Sequence, residues 1–211
     1  MDVTSNASIE YPKEGFVKAV CLNAVDGRYD KTEFRGKVKW TRRIFLIFEI
    51  DQKYTRGEYK GQNMIIHREF VLSSSSNSEF RKTLENWRKY RFGERYNDNG
   101  TMTLMTKKKN EETGQMEEAE FKTESLCGAN CILKLTNIGT DKTFIAITEI
   151  SKLPRNEEPI IRENNIGYYP DYLARKIASR PEVNPDELSQ PIRGYPDGYL
   201  GEEEDDDEVP F

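Results

Sequence analysis

Between residues 40 and 70 aromatic side chains alternate with cations. Trp40, Arg42, Arg43 and Phe45 are followed by Lys53, Tyr54, Arg56, Tyr59 and Lys60, then by His67, Arg68 and Phe70. Cations track phosphates and flat rings stack on bases that lack a pairing partner, so this mixture suits a single-stranded nucleic acid. Each stacked base contributes about 1–3 kcal/mol, and any base will serve because every base has a π face. The plain alternative is that the rings are core and the cations a solvated face. Alternate residues of one strand point to opposite sides, so some of these rings must be core. Lys107, Lys108 and Lys109 form a second basic run, which reads as a charged ribbon facing water or as a basic flap over a ligand.

Other chemistries have less to work with. His67 is the chain's one histidine, and the sequence supports no Ser/His/Asp arrangement around it. Glu49, Asp51 and Glu69 are carboxylates of the kind that hold metal ions in nucleases, but acids at strand ends are ordinarily solvated. Cys127 and Cys131 are spaced Cys-x3-Cys without a second pair. With Cys21 and His67 they would make a zinc site; otherwise they are buried structural thiols. Neither Gly-x-x-x-x-Gly-Lys nor Gly-x-Gly-x-x-Gly occurs, which leaves no nucleotide phosphate loop. The expectation is a binding protein with no catalytic residue, no metal and no cofactor.

The elements that must carry these side chains follow from period and punctuation. Residues 15–25 read as a strand ended by the Asp26-Gly27 turn signal. Residues 38–51 read as a longer strand, with Trp40, Ile44, Leu46, Phe48 and Ile50 largely on one face and Thr41, Arg43, Phe45, Ile47 and Glu49 on the other. Residues 55–62 form a turn-rich connection, and residues 63–73 a third strand. The period then changes. Phe80, Leu84 and Trp87 recur at helical spacing, which predicts an amphipathic helix from Ser78 to about Tyr90, with Ser76 as cap and Glu79 completing a capping box. Trp87 reads as a core anchor in preference to a stacking platform. Residues 101–109 and 116–123 predict an exposed β-hairpin. Residues 130–138 and 142–153 predict two more strands joined through Gly139-Thr140-Asp141.

Three strands, a helix and two strands is the chain order of an OB-fold, a five-stranded Greek-key barrel. The expected architecture is therefore mainly β: a barrel over residues 1–153 with one helix between strands 3 and 4, a β-hairpin insertion and a disordered acidic C-terminal tail. Residues 154–201 carry most of the prolines and read as a linker, with a short helix over 170–180 started by Pro170.

Composition sets the class. The chain has 211 residues, 33% of them charged, and a formal net charge of −5. Glu202–Glu208 are seven consecutive acids. Setting these aside leaves 32 cations against 30 acids, a mildly basic body of +2. A like-charge run of that length repels itself, stays solvated and can act as a solubility device, as an internal competitor for a basic groove, or as bait for a partner. No stretch approaches the roughly 18 apolar residues of a membrane span. The N-terminus lacks a basic segment followed by an apolar run, so a secretory signal is not expected. Three cysteines do not make a disulfide framework, which points to a reducing cytoplasm.

The tip "DDDEVPF" resembles that of bacterial single-stranded DNA-binding proteins, where an acidic run ends in an apolar residue, Pro and Phe. The segments "PKEGFVKAV", "SSSSNSEFRKTLENWRKYRF" and "LCGANCILKLTN…FIAITEISKLP" resemble those of phage-encoded replication proteins of the same kind. The resemblance covers residues 12–155 and the tip. It departs at Trp87-Arg88-Lys89, where that group usually has Trp-Arg-Gly, and in a longer hairpin insertion. It implies a protein that coats and protects single-stranded DNA in replication, recombination and repair, in the cytoplasm of a bacterial host. It also implies that Asp205, Asp206, Asp207, Glu208, Val209, Pro210 and Phe211 dock on replication, recombination or repair enzymes, with Phe211 filling an apolar pocket. Self-association is left open. An acidic-tailed adaptor with a protein-binding barrel and a single-stranded RNA binder are the other readings.

Overall fold

The computed structural model describes residues 10–98, 102–140 and 143–188. The expected acidic tail, 202–211, lies outside them. Strand β1, Gly15–Phe34, runs nine residues beyond its expected end. The Asp26-Gly27 signal is absorbed as a bulge: the register with the next strand shifts between Asp26 and Tyr29, and Arg28 takes φ 58°. Its N–H donates to Asp26 Oδ1 at 2.9 Å, a local turn bond within a continuing strand. Gly27 is required there, since a Cβ would lie 2.7 Å from the Phe45 ring. The chain reverses at Arg35-Gly36, with φ 50° and 73°, the two positive angles of a tight hairpin.

Strands β2 (Lys37–Lys53) and β3 (Asn63–Val71) follow. Strands β4 (Gly93–Tyr96), β5 (Met102–Lys109) and β6 (Met116–Glu120) come after the helix, then β7 (Asn130–Asn137) and β8 (Ile145–Lys152). An antiparallel five-stranded sheet has the order β3-β2-β1-β7-β8, and a separate three-stranded sheet the order β4-β5-β6. The expected hairpin is β5–β6; β4, only four residues long, joins it as a third strand. The protein is mainly β, but no ladder joins β3 to β8 among the described residues. The five strands form an open sheet where a five-stranded barrel was expected. Its edges approach each other and helix α1 (Glu79–Arg88) touches both.

One face of the large sheet forms the main core. Ala19, Cys21, Leu46, Phe48, Ile50, Leu133, Leu135 and Ile150 are buried together beneath Phe80, Leu84 and Trp87 of α1. The cap of α1 is Ser78, two residues later than expected; its Oγ accepts the Arg81 N–H at 3.2 Å. Glu79 makes no capping box and pairs with Arg68 at 2.5 Å. Trp87 is 3% exposed and donates its indole N–H to the Asn130 carbonyl at 3.1 Å, so it anchors the core.

The described part of the expected linker, residues 154–188, lies against the other face. It is tied to β1 by a Gly167 N–H to Leu22 carbonyl bond of 2.9 Å and by a Tyr29 N–H to Pro181 carbonyl bond of 3.0 Å. Between them is helix α2 (Asp171–Ala178), whose Leu173 and Ile177 pack on Phe45 and Ile47 to make a second buried cluster. A short turn of helix, α3, spans Pro185–Leu188. Among the described residues no helix is long and apolar enough to cross a membrane.

Candidate nucleic-acid interface

The connection from β2 to β3 is braced by its own backbone. Tyr54 N–H donates to the Gln62 carbonyl at 3.0 Å and Gly61 N–H returns a bond to the Tyr54 carbonyl at 2.8 Å. Gly57 and Gly61 supply the positive φ angles of 77° and 86° that this turn needs. The result holds Tyr54 and Tyr59 with ring centroids 5.8 Å apart and tilted by 45°. Tyr59 is 54% exposed, and Arg56 and Lys60 flank it at the surface.

The strap of residues 154–188 passes beside this loop, and a buried carboxylate places it. Glu49 is fully buried on β2. Its Oε1 accepts Asn63 Nδ2 at 2.7 Å and the Glu163 N–H at 2.6 Å; its Oε2 accepts the Asn164 N–H and Nδ2, each at 2.9 Å. Burial pushes this carboxyl's pKa up, but the bonds from Asn63, Glu163 and Asn164 together outweigh it and hold the group below its usual range. Glu163 in turn bonds Lys53 at 2.6 Å and the Asn63 N–H at 2.7 Å. Farther along, Tyr172 meets His67 at 2.9 Å between the hydroxyl and Nδ1. Burial, then the charge of Lys176, holds the His67 pKa below its ordinary value, so the ring is neutral at pH 7.

Loop and strap enclose a groove of about 520 Å³. Tyr54, Tyr59, Gln62, Asn63 and Ile65 line one side; Asn164, Tyr168, Pro170, Asp171, Tyr172 and Arg175 line the other. Tyr168 is 40% and Tyr172 50% exposed. Among the described residues Arg175 has no ion pair. The groove has flat rings on both walls and one cation, Arg175, on its lining.

The expected site residues fall into distinct groups. Lys53, Tyr54, Arg56, Tyr59 and Lys60 come together on the loop, although Lys53 is engaged by Glu163. Phe45 and Phe70 are fully buried, one under α2 and the other in the main core, so neither ring can meet a base. Arg43 pairs with Asp30 at 3.2 Å and lies 3.8 Å from Glu69. Glu69 also pairs with Lys176 and Arg180, at 2.8 and 2.9 Å. Arg42 pairs with Asp26 and Arg68 with Glu79, each at 2.5 Å. Trp40 is half-buried on the part of β2 that extends past β3, where it pairs with Lys31 of β1. Lys107, Lys108 and Lys109 are on β5, with Lys107 opposite Glu118 and Lys108 opposite Glu117. Those acids offset the basic run, and the arrangement fits the charged ribbon facing water.

Tyr168, Tyr172 and Arg175 were not among the expected site residues. The signal was present as three tyrosines in "IGYYPDYLARK", but the surrounding prolines marked the segment as linker. Of the other chemistries, Glu49 and Glu69 have their oxygens engaged as described, and Cys21 and Cys131 are buried with their thiol pKa pushed up by desolvation. Compared with protein-family models, with curated proteins and with solved structures, the chain matches none of them.

Proposed function

We propose that this protein binds single-stranded DNA without marked sequence preference, and that its tip, Asp205–Phe211, recruits replication, recombination or repair enzymes. The observation that carries the reading is the braced loop between β2 and β3. It presents Tyr54 and Tyr59 as a tilted pair, with Arg56 and Lys60 exposed beside them. Rings at that spacing offer faces to successive bases while the cations follow the backbone. The OB-fold, itself a partly open five-stranded barrel, accords with the open sheet and its bridging helix.

A labelled unstructured DNA oligonucleotide, compared with duplex and with RNA of the same sequence, tests this. The DNA strand is expected to bind more tightly than the duplex. If about four phosphates are neutralised, log K falls with log salt at a slope near −3. Equal affinity for duplex, or no salt dependence, removes the reading. Preference for the RNA strand selects an RNA-binding protein.

A further inference from the structure

We propose that the strap supplies half of the nucleic-acid site, so that the groove is a slot for an unpaired nucleobase and its phosphate. This rests on the single-strand reading and goes beyond the loop that carries it. The loop alone offers one aromatic wall. Tyr168 and Tyr172 provide the opposite one, and Arg175 is a cation with no ion-pair partner among the described residues. The hydroxyls of Tyr54, Tyr59 and Tyr168 likewise have no hydrogen-bond partner among those residues. These groups are available to a ligand because other bonds hold the strap. Glu49 fixes Glu163 and Asn164, Leu22 fixes Gly167, and Leu173 is buried on Phe45 and Ile47.

The size and chemistry select the occupant. A volume of about 520 Å³ falls within the usual range of small-ligand sites. Aromatic walls also suit a polyproline peptide, but Arg175 on the lining, a cation without an ion pair among the described residues, favours an anion. A base between tyrosines, with its phosphate on Arg175, uses every one of these features. Asp171 is the one acid on the lining and disfavours a second phosphate there.

Full-length protein and a fluorescent oligothymidine, titrated at several salt concentrations, make the test. Tyr168→Ala is expected to lose about tenfold in affinity, and Tyr168→Trp to retain it, because stacking needs a flat ring. Arg175→Gln is expected to lower the salt slope by about 0.7, one phosphate contact. In the unaltered chain, photocrosslinking from a 5-iodouracil oligonucleotide is expected to mark Tyr168 or Tyr172, a result that does not depend on any variant folding. If the chain binds DNA but these variants bind equally and crosslinks map elsewhere, the slot is wrong and the single-strand reading survives. If the chain binds no single strand, both fall. If Tyr168→Ala loses a proline-rich peptide and keeps the DNA, the groove is a peptide site and the proposal is overturned.

Discussion

Glu49 shows how one side chain can place a whole segment. A buried carboxylate without a cation is costly unless its lone pairs are filled, and here four N–H groups fill them, two from the Glu163–Asn164 backbone. Glu49→Gln turns one acceptor into a donor facing donors. The expected loss is about 2–3 kcal/mol of stability by urea unfolding, with faster proteolysis within residues 154–188. The pH dependence follows from the depressed pKa. The contribution is fully present above about pH 4.5, the ordinary value, and is lost as pH falls through the lower folded value. Glu49→Gln should therefore have a shallower acid limb than the parent, while Glu69 and Glu163, also held low, keep theirs. His67 acts in a neighbouring window. Its folded pKa lies below 6.5, so the unfolded chain takes up the proton first and stability declines as pH drops below about 6.5. His67→Phe should remove that part of the decline, read as the unfolding midpoint against pH.

At the scale of elements, residues 44–50 of β2 are buried on both faces, by α1 and the main core on one side and by α2 on the other. Helix α2 has eight residues, too short to persist alone in water, and depends on Leu173 and Ile177 for its place. Leu173→Ala should cost about 2–4 kcal/mol, seen chiefly as lost amide protection in residues 171–178 while β1, β2 and β7 remain protected. Loss of protection across the whole sheet would mean that the strap is part of the folding nucleus. The bulge in β1 makes a second case. Gly27→Ala puts a methyl into the Phe45 ring and is expected to destabilise by about 1–3 kcal/mol, with thermal unfolding as the measure.

At the scale of the whole molecule the charge divides into a body of +2 and seven acids at 202–208. On the proposed function, a polyanion tethered to a basic body competes with DNA for it, most strongly where salt does not screen. Deleting residues 202–211 should leave DNA affinity unchanged or raise it, with the largest gain at low salt. A large loss would show that the tail helps to hold DNA. Deleting Phe211 alone keeps all seven acids. Affinity for a replication or repair enzyme from the same source should then fall roughly thirtyfold, the effect of losing a 2 kcal/mol anchor, while DNA binding stays the same. Equal partner affinities would leave the acids as a solvated brush.

Period and punctuation were enough to find the strands at 38–51, 63–73 and 130–138, the helix with Phe80, Leu84 and Trp87 inward, and the two faces of β2. Those are local properties: side chains alternate in a strand and return every three or four residues in a helix. The Asp26-Gly27 pair misled because a turn signal and a bulge use the same residues, and only the pairing across β2 distinguishes them. The sequence also assembled Tyr54, Arg56, Tyr59 and Lys60, which are neighbours along the chain. It did not separate Phe45 from them, because alternation says which residues share a face and not what covers it. The cover is Leu173 and Ile177, more than 120 residues away and the two buried positions of a short helix. The same distance hid Tyr168, Tyr172 and Arg175, whose partners across the groove are set by hydrogen bonds between residue 49 and residues 163–164, contacts that no local pattern encodes.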